Sequence, residues 1–370
     1  MVVNERSLSV DVMRGLTLAL MIVVNMSVSD ETSYPQLLHA AWHGLTLTDL
    51  VFPSFLFVVG LSLSHTLGKY EARGERAVLQ KILTRAALIF LCGYLLYWFP
   101  FLKFDQAGHL ALRPLAQTRI LGVLQRIALC YAGAAMLLHF GGRRAALTYS
   151  VVALLGYWAV LYCCGDYSLA GNAALRLDRY VLGEAHMYHG EGMAFDPEGI
   201  LGTVPAIVNV LAGYLAGSHL QKHGRNYEGI AGLLLVSGLC LIAALAWGSV
   251  LPINKKLWTS SYVLCATAID LYVLALLAYL IDIRGGGGWT RFFEVLGKNT
   301  LFIYLLSEVG NSVLGLIAVG DQNLFVWLYE HAFQPWAGVR NGALLYALAY
   351  LLCCWLVAYA LDRRRIYIRL

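Results

Sequence analysis

Long apolar runs, separated mostly by short polar connections, dominate the hydrophobic pattern of this 370-residue chain. A run of about 20 residues is the length that an α-helix needs to cross the hydrocarbon core of a bilayer. We find ten such runs, so the pattern predicts ten transmembrane helices. Their approximate bounds are 11–29, 49–68, 84–101, 119–140, 144–164, 199–218, 228–250, 258–281, 292–318 and 340–361.

One further apolar segment, at 322–337, does not fit the spanning pattern. Its sequence, QNLFVWLYEHAFQPWA, is rich in aromatic residues, shorter than a spanning helix and interrupted by Pro335. Such a segment is typical of a helix that lies at the membrane interface or re-enters the bilayer from one side. We therefore predict one short interfacial or re-entrant helix on the outer side.

The composition agrees with this pattern. Hydrophobic residues make up 59% of the chain and charged residues only 13%, which a soluble domain could not carry without aggregating. We predict an all-α, polytopic membrane bundle of about ten transmembrane helices that forms one domain over residues 1–370. The loops expected to form its substrate side are 30–48, 102–118, 165–198 and 251–257.

The distribution of basic residues indicates the topology. An even number of spans places both termini on one side, and with that side inside, the inner segments hold eighteen of the 27 lysines and arginines. Eight lie in outer segments, and Arg126 lies within a span. Cytoplasmic loops carry an excess of basic residues, so we predict cytoplasmic termini. The net charge of +5 is thus a topology signal, and we expect no nucleic-acid partner.

The cysteines and histidines do not indicate a metal site. The eight cysteines lie almost entirely in apolar runs, with neither a CxxC pair nor a metal-ligand spacing, and are interpreted as small hydrophobic residues. His39 and His43 are four residues apart, which on a helix would suit a metal pair, but the sequence offers no obvious third ligand. We therefore expect no metal.

Several polar residues occur where the bilayer should exclude them. Asp11 and Arg14 are three residues apart and can pair on one helix face. A charge at the bilayer centre costs on the order of 2.5–3.5 kcal/mol, so such residues either line a polar pathway or hold neighbouring helices together. Both interpretations remain open from the residues alone. The other members of this set are Asn25, Asp49, Gln125, Arg126, Asp270, Asn299 and Glu308.

The stretch YPQLLHAAWHGLTLTDLVFPSFLFVVG at 34–60 is the strongest candidate for chemistry. It places His39 and His43 beside Trp42 and continues through Asp49 into an apolar helix. An imidazole titrates near neutral pH, and at the mouth of a span its protonation can be coupled to a substrate in water. We therefore expect the active site at this mouth.

The outer loops contain the residue types that bind a sugar. Carboxylates and amides accept hydrogen bonds from hydroxyl groups, and aromatic faces pack against a pyranose ring. The loop at 165–199 and the loop at 251–262 supply most of these residues, although an ordinary solvated loop can have the same composition. The candidate substrate-binding residues are Trp42, Asp178, Arg179, His186, Glu198, Asn254, Lys255 and Trp258.

Seven segments together resemble one family of membrane enzymes, the heparan-alpha-glucosaminide N-acetyltransferases and their bacterial homologues. They occur in the same order from residue 6 to about residue 310, which is more specific than any single motif. The segments are SVDVMRG at 9–15, VVN at 23–25, LLHAAWHGLTLTDLVFPSFLFVVG at 37–60, GVLQRIALCY at 122–131, LDRYVLGEAHMY at 177–188, FDPEGILGTVPAI at 195–207 and PINKKLWTSSYVL at 252–264.

The resemblance implies transfer of acetyl from cytosolic acetyl-CoA to the amine of glucosamine, or of a glucosamine-containing glycan, on the other side of the membrane. The family's active-site histidine corresponds to His39, and its neighbouring asparagine to Asn25. Acyl transfer needs a deprotonated amine and a polarised carbonyl. His39 can serve as general base or transient acetyl carrier, Asn25 can donate to the oxyanion, and Asp49 can orient the imidazole ring.

The same resemblance implies that acetyl-CoA is the acetyl donor and that the chain has a binding site for it. Its phosphates need cationic and polar side chains, and its thiol must come within reach of His39. The candidate residues are Arg14, Gln125, Arg126, Lys298 and Asn299.

An amino-sugar permease that transfers no acetyl group would also explain ten spans, charged residues within them and a polar outer loop. In either case we expect a multi-pass protein of a bacterial inner membrane. Its expected partners are acetyl-CoA, the amino sugar, the lipid bilayer and, as a homodimer, a second copy of the chain.

Overall fold

The computed structural model describes residues 8–71, 74–104 and 109–368 as an all-α bundle, which confirms the predicted fold class. Arg6, Arg73 and Arg369, three of the basic residues counted for the topology, lie outside these residues. The principal helices are α1 (Leu8–Asn25), α2 (Leu47–Glu71), α3 (Glu75–Trp98), α4 (Val123–Cys163), α5 (Ala173–Val181), α6 (Ile200–His223), α7 (Tyr227–Gly248), α8 (Ser260–Leu277), α9 (Trp289–Lys298), α10 (Thr300–Leu316), α11 (Leu324–Leu328), α12 (Gln334–Ala337) and α13 (Val339–Arg363).

Short elements connect these helices. Single 3₁₀ turns form at Pro35–Leu37, Leu115–Gln117 and Glu184–His186, and π-helical turns at Ala278–Ile283 and Tyr329–Phe333. Two small antiparallel hairpins pair β1 (Leu102–Phe104) with β2 (Leu110–Leu112), and β3 (Ala318–Val319) with β4 (Gln322–Asn323).

The structure groups the predicted spans differently. In the part of the chain that it describes, eight helices are long and apolar enough to cross a membrane. One of them, α4, has 41 residues and leaves helical geometry at Gly142, where φ is 58° and ψ is −155°. Glycine tolerates this conformation without a Cβ clash. The two halves of α4 match the predicted runs 119–140 and 144–164, and the run 292–318 divides at Asn299 into α9 and the 17-residue α10.

The segment predicted as a short interfacial or re-entrant helix is helical. It consists of α11, the π-helical turn at Tyr329–Phe333, and α12. Its position relative to the bilayer stays a prediction.

Glycines allow the central helices to pack closely. A Cβ added to Gly60 in α2 would lie 1.9 Å from the carbonyl oxygen of Val210 in α6. A Cβ added to Gly213 in α6 would lie 1.9 Å from the carbonyl oxygen of Phe57 in α2. Such reciprocal contacts between small residues are how membrane helices gain van der Waals packing in an apolar solvent. Larger side chains at either glycine would separate α2 from α6.

The bundle has two ends with different chemistry. We call one the histidine end, because it contains His39 and Asp49, and the other the Arg14 end. Ser62 of α2 accepts a hydrogen bond from Arg14, and it lies thirteen residues after Asp49. At 1.5 Å of rise per residue, the two ends are about 20 Å apart along this helix.

Both described ends of the chain lie at the Arg14 end. The backbone of Asp11, near the start of α1, lies against Gly297 at the end of α9. Asn299 then binds the backbone of Ile366 and Ile368, which follow α13. This agrees with an even number of passes through the bundle. The assignment of this end to the cytoplasm remains a prediction.

Candidate active site

A histidine–aspartate pair lies at the start of α2. His39 Nδ1 is 2.7 Å from Asp49 Oδ1. The side chain of Asp49 is 1% exposed, whereas that of His39 is 46% exposed. A carboxylate oxygen can only accept, so Nδ1 carries the proton and the lone pair of a neutral ring lies on Nε2. The pair therefore combines a buried carboxylate with a half-exposed imidazole whose Nε2 has a free lone pair.

The local sequence explains why Asp49 is fixed. Thr46 precedes α2, and its backbone N–H donates to Asp49 Oδ2 at 3.0 Å. In return, the backbone N–H of Asp49 donates to Thr46 Oγ1 at 3.4 Å. This reciprocal T-x-x-D arrangement is a capping box, which satisfies donors at a helix N-terminus. Asp49 therefore anchors its helix with one oxygen and His39 with the other.

The segment from His39 to Thr46, which precedes α2, is irregular and not helical. Thr46 Oγ1 donates to the carbonyl of Leu38 at 2.7 Å, and the N–H of Ala40 donates to Asp49 Oδ2 at 3.1 Å. These bonds close a loop around the carboxylate. The helical spacing considered for a metal pair of His39 and His43 therefore does not form. Among the described residues, no group of three His, Cys, Asp or Glu side chains could hold a metal.

Trp42 and His43 anchor this loop to other parts of the chain. Trp42 Nε1 donates to the carbonyl of Tyr167 at 2.7 Å, and its ring packs edge-on to Phe195 with centroids 5.5 Å apart. His43 Nδ1 lies 3.3 Å from the amide nitrogen of Asn254. Burial lowers the pKa of His43, which favours a neutral, structural imidazole. The two histidines of the loop thus differ in their surroundings.

The loop that precedes α8 packs directly against the segment 39–46, which we call the histidine loop. The N–H of Gly44 donates to the carbonyl of Ile253 at 2.9 Å. Lys256 Nζ donates to the carbonyl of Ala41 at 2.9 Å and pairs with Glu191 at 2.6 Å. Three of the four loops predicted to form the substrate side therefore meet at the histidine end.

A buried ion-pair network lies beside these loops. Arg119 binds both oxygens of Asp196, at 3.1 and 2.6 Å, and Glu198 Oε2 at 2.6 Å. Its guanidinium also lies over the rings of Tyr97 and Tyr188, at 5.0 and 4.8 Å. Sequence reasoning did not identify Arg119, because its partners are 77 and 79 residues away.

Burial and neighbouring charges shift the pKa values of Glu198 and Lys255, which both lie in this region. Burial alone would raise the pKa of Glu198, but the charges of Lys255, Arg119 and Arg126 outweigh it and lower the pKa to about 2. Burial lowers the pKa of Lys255, an effect that the charges of Glu198 and Asp49 oppose. Glu198 is therefore an anion at neutral pH, and Lys255 lies in the field of two carboxylates.

Three of the residues predicted to bind sugar are enclosed by protein in this structure, and their role in sugar binding stays a prediction. Asp178 is fully buried and accepts a hydrogen bond from the N–H of Ile200 at 2.8 Å, which caps α6. Asn254 is also fully buried and organises the loop before α8. The Trp258 ring is buried beneath the Arg126 guanidinium, 4.9 Å away.

The other predicted sugar contacts are divided between buried and open positions. Arg179 is 40% exposed and pairs with Glu184 at 2.9 Å. His186 Nδ1 donates to the carbonyl of Thr118 at 2.8 Å. Glu198 is buried within the ion-pair network, whereas Trp42 and Lys255 are partly exposed beside the histidine loop. Open positions for a substrate thus remain around His39.

Asn25 lies at the end of α1, exposed at the histidine end. Its side-chain nitrogen donates to Glu308 Oε1 of α10 at 2.7 Å. Its backbone carbonyl accepts from Asn311 of the same helix at 3.4 Å. Contacts with α10 therefore hold Asn25 in place.

The residues predicted to bind acetyl-CoA separate into two groups. Arg14, Lys298 and Asn299 lie at the Arg14 end. Arg14 binds Asp11 at 2.9 Å and Ser62 at 2.8 Å, and Lys298 pairs with Glu294 at 2.7 Å. Asn299 holds the segment after α13, as described above. These three residues are on the side expected for the nucleotide.

Gln125 and Arg126 instead lie near the histidine end, in the first turn of α4. Arg126 donates through Nη2 to the carbonyl of Gly199 at 2.9 Å, while its Nε and Nη1 have no hydrogen-bond partner among the described residues. Both polar atoms of the buried Gln125 amide also have none there. The five residues predicted to contact acetyl-CoA thus lie at two ends of the bundle, and their contact with acetyl-CoA stays a prediction.

The fold and this site define a polytopic helical membrane protein with a histidine–aspartate pair at one end of its bundle. Residues 6–244 match the family model described as heparan-alpha-glucosaminide N-acetyltransferase, catalytic. The chain belongs to this family.

Two relatives carry the same name as the family. The chain is 30% identical over 363 residues to heparan-alpha-glucosaminide N-acetyltransferase from Homo sapiens, covering 81% of this chain and 52% of that protein. It is 29% identical over 362 residues to the protein of that name from Mus musculus, covering 81% and 53%. The chain thus spans about half the length of the curated relatives it matches.

Proposed function

We propose that the protein is a transmembrane N-acetyltransferase that moves acetyl from cytosolic acetyl-CoA to the amine of glucosamine or a glucosamine-containing glycan. The observation that carries this proposal is the pair of His39 and buried Asp49, 2.7 Å apart, with the His39 side chain 46% exposed. Family membership supports the reaction type. We place the protein in a bacterial inner membrane, with the histidine end facing outward.

His39 would act as the general base. The amine nitrogen attacks the thioester carbonyl carbon, a C–N bond forms, and the carbonyl π electrons move to oxygen. His39 Nε2 takes the proton that the nitrogen loses. When the carbonyl re-forms, the C–S bond breaks and the thiolate leaves with the electron pair. The imidazolium then returns the proton to sulfur, which balances the reaction.

Asp49 would assist in two ways. Its hydrogen bond to Nδ1 fixes the tautomer that leaves Nε2 basic, and its negative charge stabilises the imidazolium that forms. Because the capping box holds the carboxylate, the ring is oriented before the substrate arrives. Asn25, at the same end, would donate to the acyl oxygen.

The acetyl donor would extend from the Arg14 end toward His39. Arg14, Lys298 and Asn299 would receive its nucleotide portion, and Gln125 and Arg126 would contact the portion near the thioester. Polar groups occur between the two ends: Ser54 donates to Asp270 at 2.5 Å, and Asn209 to Thr267 at 3.5 Å. These groups support an internal polar route about 20 Å long.

The primary test is acetyl transfer by the purified protein. Acetyl-CoA and glucosamine should give N-acetylglucosamine by mass spectrometry, with one CoA released for each product. His39→Ala should lower the rate by about 10³-fold, within the range of a positioned base. His43→Ala is the matched control, since His43 lies in the same loop and contacts Asn254 instead of Asp49.

Two results would count against the proposal. If sealed vesicles accumulate unmodified glucosamine and no acetylated sugar forms, the protein is an amino-sugar permease. If His39→Ala and His43→Ala have equal effects on transfer, His39 is not the base. A gain in intact mass of one acetyl group before sugar is added, absent in His39→Ala, would instead identify His39 as a transient acetyl carrier.

A further inference from the structure

Lys255 differs from the adjacent lysine in its bonding. Lys256 makes two direct bonds, to the carbonyl of Ala41 and to Glu191. The side chain of Lys255 is only 12% exposed, and its closest ion-pair partner, Glu198 Oε1, is 3.9 Å away. That distance exceeds a hydrogen bond, and Lys255 makes no direct side-chain bond to another residue that the structure describes. A largely buried ammonium therefore retains donors for an external acceptor.

The backbone around Lys255 is firmly held. Asn254 Oδ1 accepts from the N–H of Leu257 at 2.8 Å, and the N–H of Asn254 donates to Thr259 Oγ1 at 3.1 Å. The carbonyl of Lys255 itself accepts from the N–H of Trp258 at 3.1 Å. Trp258 has a φ of 55°, an unfavourable conformation for a bulky residue, and such positions concentrate at functional sites.

This held segment lies against the histidine loop. Its residues on both sides of Lys255 contact that loop: Asn254 meets His43, and Lys256 meets Ala41. The charge of Asp49 also acts on Lys255. Lys255 thus lies at the histidine end, in a segment that contacts the loop of His39.

We propose that Lys255 is a further catalytic residue, whose ammonium donates to the acyl oxygen of the thioester and stabilises the negative charge that forms there during attack. This inference rests on the proposed function. A hydrogen bond from an ionised donor is about twice as strong as a neutral one, and the gain is largest where negative charge develops. Glu198 at 3.9 Å favours the protonated lysine without occupying its donors.

A role in transfer differs measurably from a role in sugar binding. If Lys255 acts on the acyl oxygen, Lys255→Met should lower kcat by about 10²-fold or more, while KM for glucosamine changes less than about twofold. Lys255→Arg keeps the charge and should recover part of the lost kcat. Lys222→Met is the matched control, because Lys222 is an exposed lysine in the last turn of α6, and its kcat should equal that of the wild type.

The outcomes separate this inference from the proposed function. A wild-type protein that transfers no acetyl group would overturn the proposed function. If the wild type is active, an unchanged kcat in Lys255→Met would overturn the inference, as would a rise in KM at constant kcat. Should Lys255→Met fail to elute as a folded protein, Lys255→Gln, which keeps a neutral polar group, is held to the same criteria.

Discussion

The two ends of the bundle hold their charges differently. At the Arg14 end, local ion pairs such as Asp11 with Arg14 and Glu294 with Lys298 occur beside pairs to Asp362 of α13 that Arg291 and Lys298 make. At the histidine end, Arg119 binds carboxylates 77 and 79 residues away. Local pairs stabilise a helix that already exists, whereas distant pairs determine how separate segments meet. The geometry of the histidine end therefore depends on tertiary structure.

The sharpest test of this difference concerns Asp49, where a local helix cap and the active site share one carboxylate. Asp49→Asn should lower acetyl transfer by about 10³-fold, because an amide nitrogen facing Nδ1 would reverse the tautomer of His39 and an amide carries no charge to stabilise the imidazolium. The initial rate with acetyl-CoA and glucosamine measures this effect.

Thr46→Ala is the matched control for Asp49→Asn. It removes the other half of the capping box and should cost about 1 kcal/mol of stability while leaving Asp49 charged. If Thr46→Ala reduces transfer as strongly as Asp49→Asn, the carboxylate serves only to hold the helix.

The sequence could predict contacts between neighbouring residues but not contacts between distant segments. The apolar runs predicted the helices, because the hydrophobicity of a run depends only on its own residues. The spacing of Asp11 and Arg14 predicted their ion pair. The T-x-x-D pattern at 46–49 is a further local signal, since it is the sequence of a capping box. Features that depend on a few neighbouring residues can thus be predicted.

The contacts of the histidine end could not be predicted in this way. Trp258 and Asn254 are residue types that are typical of a sugar-binding site, yet both are buried in the fold. Arg119 gave no signal because its partners come from a distant loop. These positions depend on how α4, α6 and the loops pack. The order of the apolar runs, by contrast, already places Gln125 and Arg126 near the outer start of the fourth run and Arg14 near the inner start of the first.

Removing Arg119 should produce the largest loss of stability. The Arg119 side chain is 14% exposed and pairs with two buried carboxylates, those of Asp196 and Glu198. Arg119→Met would remove the guanidinium from both. Loss of one partner of a buried pair costs about 3–5 kcal/mol. Thermal unfolding in detergent, followed by tryptophan fluorescence, measures this change. Arg179→Met, which breaks the exposed pair with Glu184, should change stability by less than about 1 kcal/mol. If Arg119→Met and Arg179→Met lowered stability equally, the buried network would contribute no more than an exposed ion pair.

The pH dependence of stability should reveal the buried carboxylates. The pKa of Glu198 is lowered to about 2, below the value of about 4.3 in an unfolded chain. Its contribution is therefore complete above about pH 4.3 and is lost as the pH falls toward 2, on the order of 3 kcal/mol. Glu198→Gln should flatten the stability curve in this window. A variant with the wild-type slope would show that Glu198 is not held as an anion.

Asp178 should respond in the opposite direction. Burial raises its pKa to about 6, above the value of about 3.9 in an unfolded chain. Its contribution is therefore present at low pH and is lost as the pH rises from about 4 to 6. Asp178→Asn retains an oxygen for the N–H of Ile200 and should remove this decline. Unfolding curves between pH 4 and 7 measure it, and an unchanged decline would assign it to another group.

The smallest effect is expected at the Arg14 end. Arg291 is 50% exposed and pairs with Glu294 at 3.2 Å and with Asp362 of α13. Water and salt screen the half-exposed Arg291, and buried Asp362 keeps Lys298 at 3.1 Å, so Arg291→Ala should cost less than about 1 kcal/mol. The loss should decrease further when the salt concentration is raised during thermal unfolding. A loss comparable to that of Arg119→Met, unaffected by salt, would show that both ends depend equally on their ion pairs.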